Sequence, residues 1–207
     1  MAADTREKLV RGALETLRTH GIAGASARRI AAAAGVNQAL VFHHFGSVHG
    51  LLTAACEFGA REQVDAYRAR FQRVRSLTEL LELGRTIRAD ERTDLAMLAQ
   101  LLAGAQAAPE LVPATAAGLA LWAEEIEGVL HRVLAATPLA EFVDVGGLAR
   151  AVTAAFIGLD LYEGVDQKEA ERAVASLEQL GRLLTVLEDL GPVTRLAIRT
   201  QLRRSTR

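Results

Sequence analysis

Residue types able to ligate a metal, activate a nucleophile or read a nucleic acid are concentrated near the N-terminus of this 207-residue chain. His20, His43, His44 and His49 precede the single cysteine, Cys56, and the fifth histidine is His131. His43, His44, His49 and Cys56 could form a metal site only with a different spacing. They match no closed zinc pattern, and Cys56 stands about two helical turns beyond His49. No metal and no cofactor is expected, since neither a phosphate-cradling glycine loop nor a dinucleotide fingerprint is present. Nor does the chain read as an enzyme. No nucleophile, base and orienter fall together, and Asp160 with Glu163 share a helix face that reads as a solvated edge. What remains is a set of side chains suited to base edges and phosphates: Arg28, Arg29, Asn37, Gln38 and the histidines.

These residues need a scaffold, and the stretch from Ser26 to Leu52 supplies one. Ser26 is a good helix N-cap, and Ile30, Ala31 and Ala34 form an apolar stripe at helical spacing. Gly35 can end that helix by turning left-handed. Asn37 can cap a second helix running to Phe45; Gly46 breaks it, and Ser47 can cap a third. Two short helices around a glycine turn outline a helix-turn-helix, whose second helix enters the major groove of double-stranded DNA. If Val36, Val41 and Phe45 face inward, Asn37, Gln38, Ala39, Leu40, His43 and His44 are left toward the groove. Gln38 could read an adenine, and Leu40 could touch a thymine methyl or equally fill core against Ile30 or Val36. Protonation of His43 and His44 would add charge at the groove, so DNA binding is expected to strengthen below about pH 6.5.

Charge is distributed in keeping with this. Residues 1–55 carry six Lys/Arg against three acids, and residues 56–198 carry 14 against 22. A basic head on an acidic body fits an anionic partner at the head, although an excess this small also fits an ordinary surface. A single cysteine fits a reducing compartment, and the N-terminus lacks the apolar core of a signal peptide. The weakly charged stretch from Leu95 to Ala123 is broken by Pro109, Glu110 and Pro113, too broken to span a membrane. A cytoplasmic protein is expected.

The remainder reads as helix throughout, with no alternating strand pattern and no hairpin turn. Asp4 with Glu7 suggests a capped first helix to His20. Ser47 opens a long helix to about Arg75, with Leu51, Leu52, Ala55, Phe58, Glu62, Ala66 and Phe71 as its partly buried stripe. Ser76 with Glu79 caps a helix to about Arg88, and Asp94 caps another to about Ala107. Pro113 opens a helix to about Ala136. Val145–Gly164 and a helix from Asp166 to Leu190 follow, then a last one from Pro192. The expected class is all-α, nine to ten helices, with an N-terminal three-helix head and a C-terminal helical body.

Ser26 to Leu52 resembles the DNA-binding head of the TetR family of bacterial transcriptional regulators. The resemblance rests on Ser26, Ile30-Ala31, Ala34-Gly35-Val36, Phe42, His44-Phe45, Ser47 and Leu51-Leu52. It implies a DNA-binding domain over residues 1–47 and a ligand-binding and dimerisation domain over 48–207. Carried onto this chain, it implies DNA contacts from Arg28, with Arg29 on the backbone or exposed. Phe42 stands where the family usually has Tyr and Val48 where it usually has Lys, so two customary phosphate contacts are missing. His49, or the amides of the Ser47-capped helix, could replace them.

The resemblance further implies a homodimer and a small-molecule effector. Ala151, Ala155, Gly158, Leu177, Leu180 and Leu184 suit a two-fold helix interface, though both helices could be ordinary core. Phe58, Met97, Gln100, Leu101, Trp122, His131 and Phe156 are the candidate ligand residues, lining either an apolar cavity or plain core. The function expected is a ligand-responsive regulator, a repressor released by a small apolar molecule. The alternative is a dimeric helical interaction protein whose head no longer binds DNA.

Overall fold

The computed structural model describes residues 2–188 apart from 91, 108, 136 and 138, together with residues 194, 196, 197, 200 and 201. Among the described residues there are nine α-helices and no strand. They are α1 (Ala2–His20), α2 (Ala27–Ala34), α3 (Ala39–Phe45), α4 (Val48–Arg73), α5 (Leu77–Asp90), α6 (Arg92–Ala107), α7 (Val112–Leu134), α8 (Val145–Glu163) and α9 (Gln167–Glu188). Short 3-10 turns, Ile22–Gly24 and Pro109–Leu111, precede α2 and α7. The helix expected from Pro192 lies largely outside the described residues, as do the end of α9 beyond Glu188 and the side chain of Leu184.

The chain divides into two compact units. The first comprises residues 1–66 and 91–122, the second residues 67–90 and 123–207. Residues of α4 and α7 belong to both. The core of the first unit gathers Leu9, Leu14 and Leu17 from α1, Ile30 and Ala31 from α2, Val41 from α3 and Leu51 and Leu52 from α4, with Leu101 and Leu111. The apolar periodicity of the first three helices therefore does close one core, as their spacing demands.

Several caps form where the residue types favour them. Ser26 Oγ accepts from Arg29 N at 3.3 Å, Ser47 Oγ from Gly50 N at 3.0 Å and Asp166 Oδ1 from Glu169 N at 3.2 Å. Ser76 Oγ accepts from Glu79 N at 3.1 Å, and the Glu79 carboxylate reaches back to Arg75 N at 2.7 Å. Two expected caps do not form. Asp4 lies inside the first turn of α1, where its carboxylate accepts from Lys8 Nζ at 2.8 Å; that bond and the ammonium charge hold its pKa below the usual carboxylate value. Asp94 lies inside the first turn of α6, and its carboxylate is taken by side chains of α1 and α4. On α4, Glu62 and Ala66 are exposed; Val64 and Tyr67 are buried instead.

The approach of α1 to α2 is set by a residue that the sequence pattern does not single out. A Cβ on Gly12 would stand 2.9 Å from both Cβ and N of Ala34 and 3.0 Å from the carbonyl oxygen of Ile30. Backbone meets backbone there, so any side chain must force the helices apart. Thr16, itself buried, returns its hydroxyl to the Gly12 carbonyl at 2.7 Å. Replacing Gly12 by alanine adds helix propensity but overpacks this contact by about 1–3 kcal/mol. Gly12→Ala is therefore expected to lower the melting temperature followed by far-ultraviolet circular dichroism; an unchanged or raised value would show that α1 and α2 tolerate separation.

Candidate functional site

The first unit presents α2 and α3 as a compact pair. Gly35 adopts the left-handed conformation at φ 65°, and the turn is closed by Val36 N donating to Ala31 O at 3.0 Å. Asn37 Oδ1 accepts from Ala39 N at 2.8 Å, fixing the first turn of α3. Gly46, at φ 73°, ends α3 before Ser47 starts α4. Val41 is fully buried, and Val36 and Phe45 pack on the same core. The guanidinium of Arg6, from α1, lies 5.0 Å from the Phe45 ring centroid, tying the end of α3 to α1.

Opposite that core, Arg28, Asn37, Gln38, Ala39, Phe42, His43, Ser47 and His49 are exposed. Arg28 has no hydrogen-bond or ion-pair partner among the described residues. Arg29 is also exposed, but its Nη1 donates to Gly24 O at 2.6 Å, holding the turn before α2. His43 and His44 sit edge to face at 5.0 Å, with His43 outermost and His44 half-buried. Leu40 is half-buried and packs against the core of the unit.

The same unit holds a polar junction that sequence reasoning missed. Asp94 accepts from Arg18 Nε at 2.5 Å and Nη2 at 2.7 Å, and from Gln63 Nε2 at 2.5 Å. Its side chain is only 10% exposed. This bidentate pair joins α1, α4 and α6. Asp94 reads locally as a cap, and nothing in the sequence points to a partner 76 residues away.

The candidate ligand residues are divided between the two units. Met97, Leu101 and Trp122 surround a void of about 30 Å³ in the first unit, room for little more than one water. Phe58 packs in the core of that unit, and Gln100 is exposed, its carboxamide against Gly21. His131 and Phe156 belong to the second unit. His131 is exposed, its Nε2 3.7 Å from Glu127. Phe156 alone lines a larger cavity of about 350 Å³ among α5, α7, α8 and α9. That cavity is walled by Leu80, Leu81, Leu130, Val152, Leu159 and Val174, with Arg85 and Arg88 as the charged residues among the described lining. Ala151, Ala155, Leu177 and Leu180 line it as well, and all four are exposed, so its mouth is open. Gly158 faces open space. Gly84 lets the cavity take this form: a Cβ there would collide with the Phe156 ring.

Comparison with known proteins fits the geometry. The profile of "Bacterial regulatory proteins, tetR family" matches residues 9–55, the span from mid-α1 into α4. The head is similar to the DNA-binding domain of that family. No curated protein matches the chain significantly. Among solved structures, a TetR-family transcriptional regulator from Rhodococcus sp. is 23% identical, with a TM-score of 0.70 over 90% of this chain and all of its own. A TetR-family regulator from Cytophaga hutchinsonii is 16% identical, with a TM-score of 0.71 over 92% of this chain and 98% of its own. The multidrug binding protein EbrR, solved with proflavin, is 24% identical over 84% of this chain and 99% of its own, with a TM-score of 0.58. The fold over most of the chain is thus the all-helical fold of these structures.

Phe42 and Val48, where the sequence departs from the resembled pattern, are placed differently. Phe42 is 50% exposed on the groove side, an aromatic ring without a phenol to offer a phosphate. Val48 is half-buried and packs against the head core. Cys56 is buried in the same core, and burial, aided by the charge of Glu57, pushes its thiol pKa up to about 12. It is held neutral and shielded, with no role at the DNA face. The folded protein at pH 8 is therefore expected to leave Cys56 unlabelled by iodoacetamide over hours, with full labelling in denaturant; rapid native labelling would contradict this packing.

Proposed function

We propose that the chain is a homodimeric transcriptional regulator, a repressor that an apolar small molecule releases from its operator. Residues 1–47 would read DNA, and residues 48–207 would sense the ligand and dimerise. The observation that carries the proposal is the exposed face of α2 and α3, where Arg28, Gln38 and His43 stand outward on a capped helix-turn-helix. Arg28 is the residue with an unengaged guanidinium, suited to a guanine or a phosphate, whereas Arg29 is occupied with Gly24. Ser26, Asn37 and Ser47 act chiefly as caps that set the two helices, and Leu40 chiefly as core.

The dimer is supported by exposed apolar residues on α8, α9 and the turn between them: Leu161, Tyr162, Val165, Leu180 and Leu183. Helix α8 is, by length and composition, also apolar enough to cross a membrane. A second copy on the α8–α9 face accounts for that surface, as large apolar patches usually mark a partner. A pocket for an apolar effector is supported by the 350 Å³ cavity and by the multidrug ligand of EbrR. In the cell, a DNA-binding protein of this kind would act in the cytoplasm.

The head could instead have lost DNA binding, which Phe42 and Val48 favour. The two readings separate in one experiment. Sequences bound by the full chain are selected from a random duplex pool, and affinity for the winner is measured by fluorescence anisotropy against salt. A regulator gives a selected consensus with inverted half-sites and a negative slope of log affinity against log salt. Arg28→Ala should weaken that complex by about 1–3 kcal/mol, roughly 5- to 150-fold, without changing the melting temperature. Failure to enrich any sequence would favour the interaction protein. Leu183→Asp should shift the protein from dimer to monomer in sedimentation equilibrium; a variant still dimeric would place the interface elsewhere.

A further inference from the structure

Residues 1–55 hold six basic side chains, and most of these have found acceptors inside the protein. Lys8 pairs with Asp4, Arg11 with Glu7 and Glu62, and Arg18 with Asp94, while Arg29 donates to the Gly24 carbonyl. Arg28 and Arg6 have no hydrogen-bond or ion-pair partner among the described residues. Arg6 stands three and four residues before the buried Leu9 and Val10, so helical spacing places it on the core side of α1, near the N-terminal end. There its guanidinium lies over the ring of Phe45, the last residue of α3, 5.0 Å from the centroid. Resting on the reading of the head as a DNA-binding unit, we propose that Arg6 contacts a backbone phosphate of the duplex at the end of α3. It would serve as an anchor of the kind that Phe42 and Val48 do not supply.

The setting of Arg6 selects an anion and, among anions, a phosphate of the duplex. The Phe45 ring offers no lone pair, so the N–H donors of the guanidinium are left for an acceptor. The nearest carboxylates on α1 are already taken, Asp4 by Lys8 and Glu7 by Arg11. Contact with the ring also restrains the long side chain, so less rotamer freedom is lost when it meets an anion. A run of rings connects this point to the outward face of α3. Phe45 and His44 meet edge to face at 6.3 Å, His44 and His43 at 5.0 Å, and His43 is exposed. A helix of seven residues is about 10 Å long and the major groove about 12 Å wide, so the end of α3 would come close to a phosphate strand. Arg6 belongs to α1, on the core side of the α2–α3 pair, and so would meet that strand rather than a base edge.

The test uses the full chain and the duplex selected from the random pool, with anisotropy titrations between about 0.1 and 0.4 M salt. Arg6→Met keeps an apolar stem on Phe45 and removes the charge. It is expected to flatten the slope of log affinity against log salt by about 0.9 and to weaken binding about eightfold at about 0.1 M salt. An unrelated duplex should lose affinity by the same factor to within about twofold, since a phosphate contact carries no sequence preference. Arg6→Lys should keep the slope of the unmodified protein. Both variants should melt within about 4 °C of it, because an exposed ring contact contributes little. Weaker binding with an unchanged slope would make Arg6 a support for α3 acting through Phe45, and that overturns the proposal. So does an unchanged affinity, or a loss confined to the selected duplex. If Arg6→Met does not fold, Arg6→Gln is read in the same way, and failure of both to fold assigns Arg6 to packing and overturns the phosphate contact. If the unmodified protein binds no duplex at any salt, the reading of the head itself fails and the proposal falls with it.

Discussion

The contact between α1 and α2 at Gly12 governs the head. A helix as short as α2, eight residues, has little stability of its own and holds its shape by packing. Gly12 removes the side chain that would keep α1 at an ordinary distance, and Ala34 and Ile30 bring backbone to meet it. With α2 seated, Gly35 turns the chain, and α3 packs on the core through its own Val41 and Phe45. The seven-residue α3 then has its orientation set by a buried valine, an Asn37 cap and the Arg6–Phe45 contact. Everything that the head can present to DNA inherits its position from that first close approach.

Polar interactions in the first unit divide into those that shape local turns and those that join distant helices. Ser26, Asn37 and Ser47 do the former, each within three residues of its partner. Arg18, Gln63 and Asp94 do the latter. A displacement of α6 must therefore either carry α1 and α4 with it or break a bidentate pair that is largely shielded from solvent. Surface pairs such as Lys8–Asp4 and Arg172–Glu169 have no such reach and contribute little to holding the fold.

This division also explains what could be read from the residues in order. The helix-turn-helix was legible because its signals are local: a cap, a 3.6-residue stripe, a glycine at the turn. The same logic misread Asp4 and Asp94, whose types suit caps but whose carboxylates found Lys8 and Arg18. The stripe on α4 failed at Glu62 and Ala66 and held at Phe71, with Val64 and Tyr67 taking the intervening buried positions. The cavity was least legible. Leu81, Leu130, Phe156 and Val174 come from four helices, and composition alone drew attention instead to Leu95–Ala123. Of the seven residues nominated for a ligand, Phe156 alone reached that cavity.

The sparse fixed charge on the reading face has a consequence for how such a protein is shared out along a chromosome. With Phe42 in place of a phenol, Val48 packed against the core and Arg29 engaged by Gly24, Arg28 is the arginine of α2 left unengaged beside the groove. Attraction to arbitrary duplex scales with the number of phosphates neutralised. If the head reads DNA as proposed, it would be held back little by bulk genomic DNA, and discrimination would come through weak retention elsewhere as much as through tight recognition.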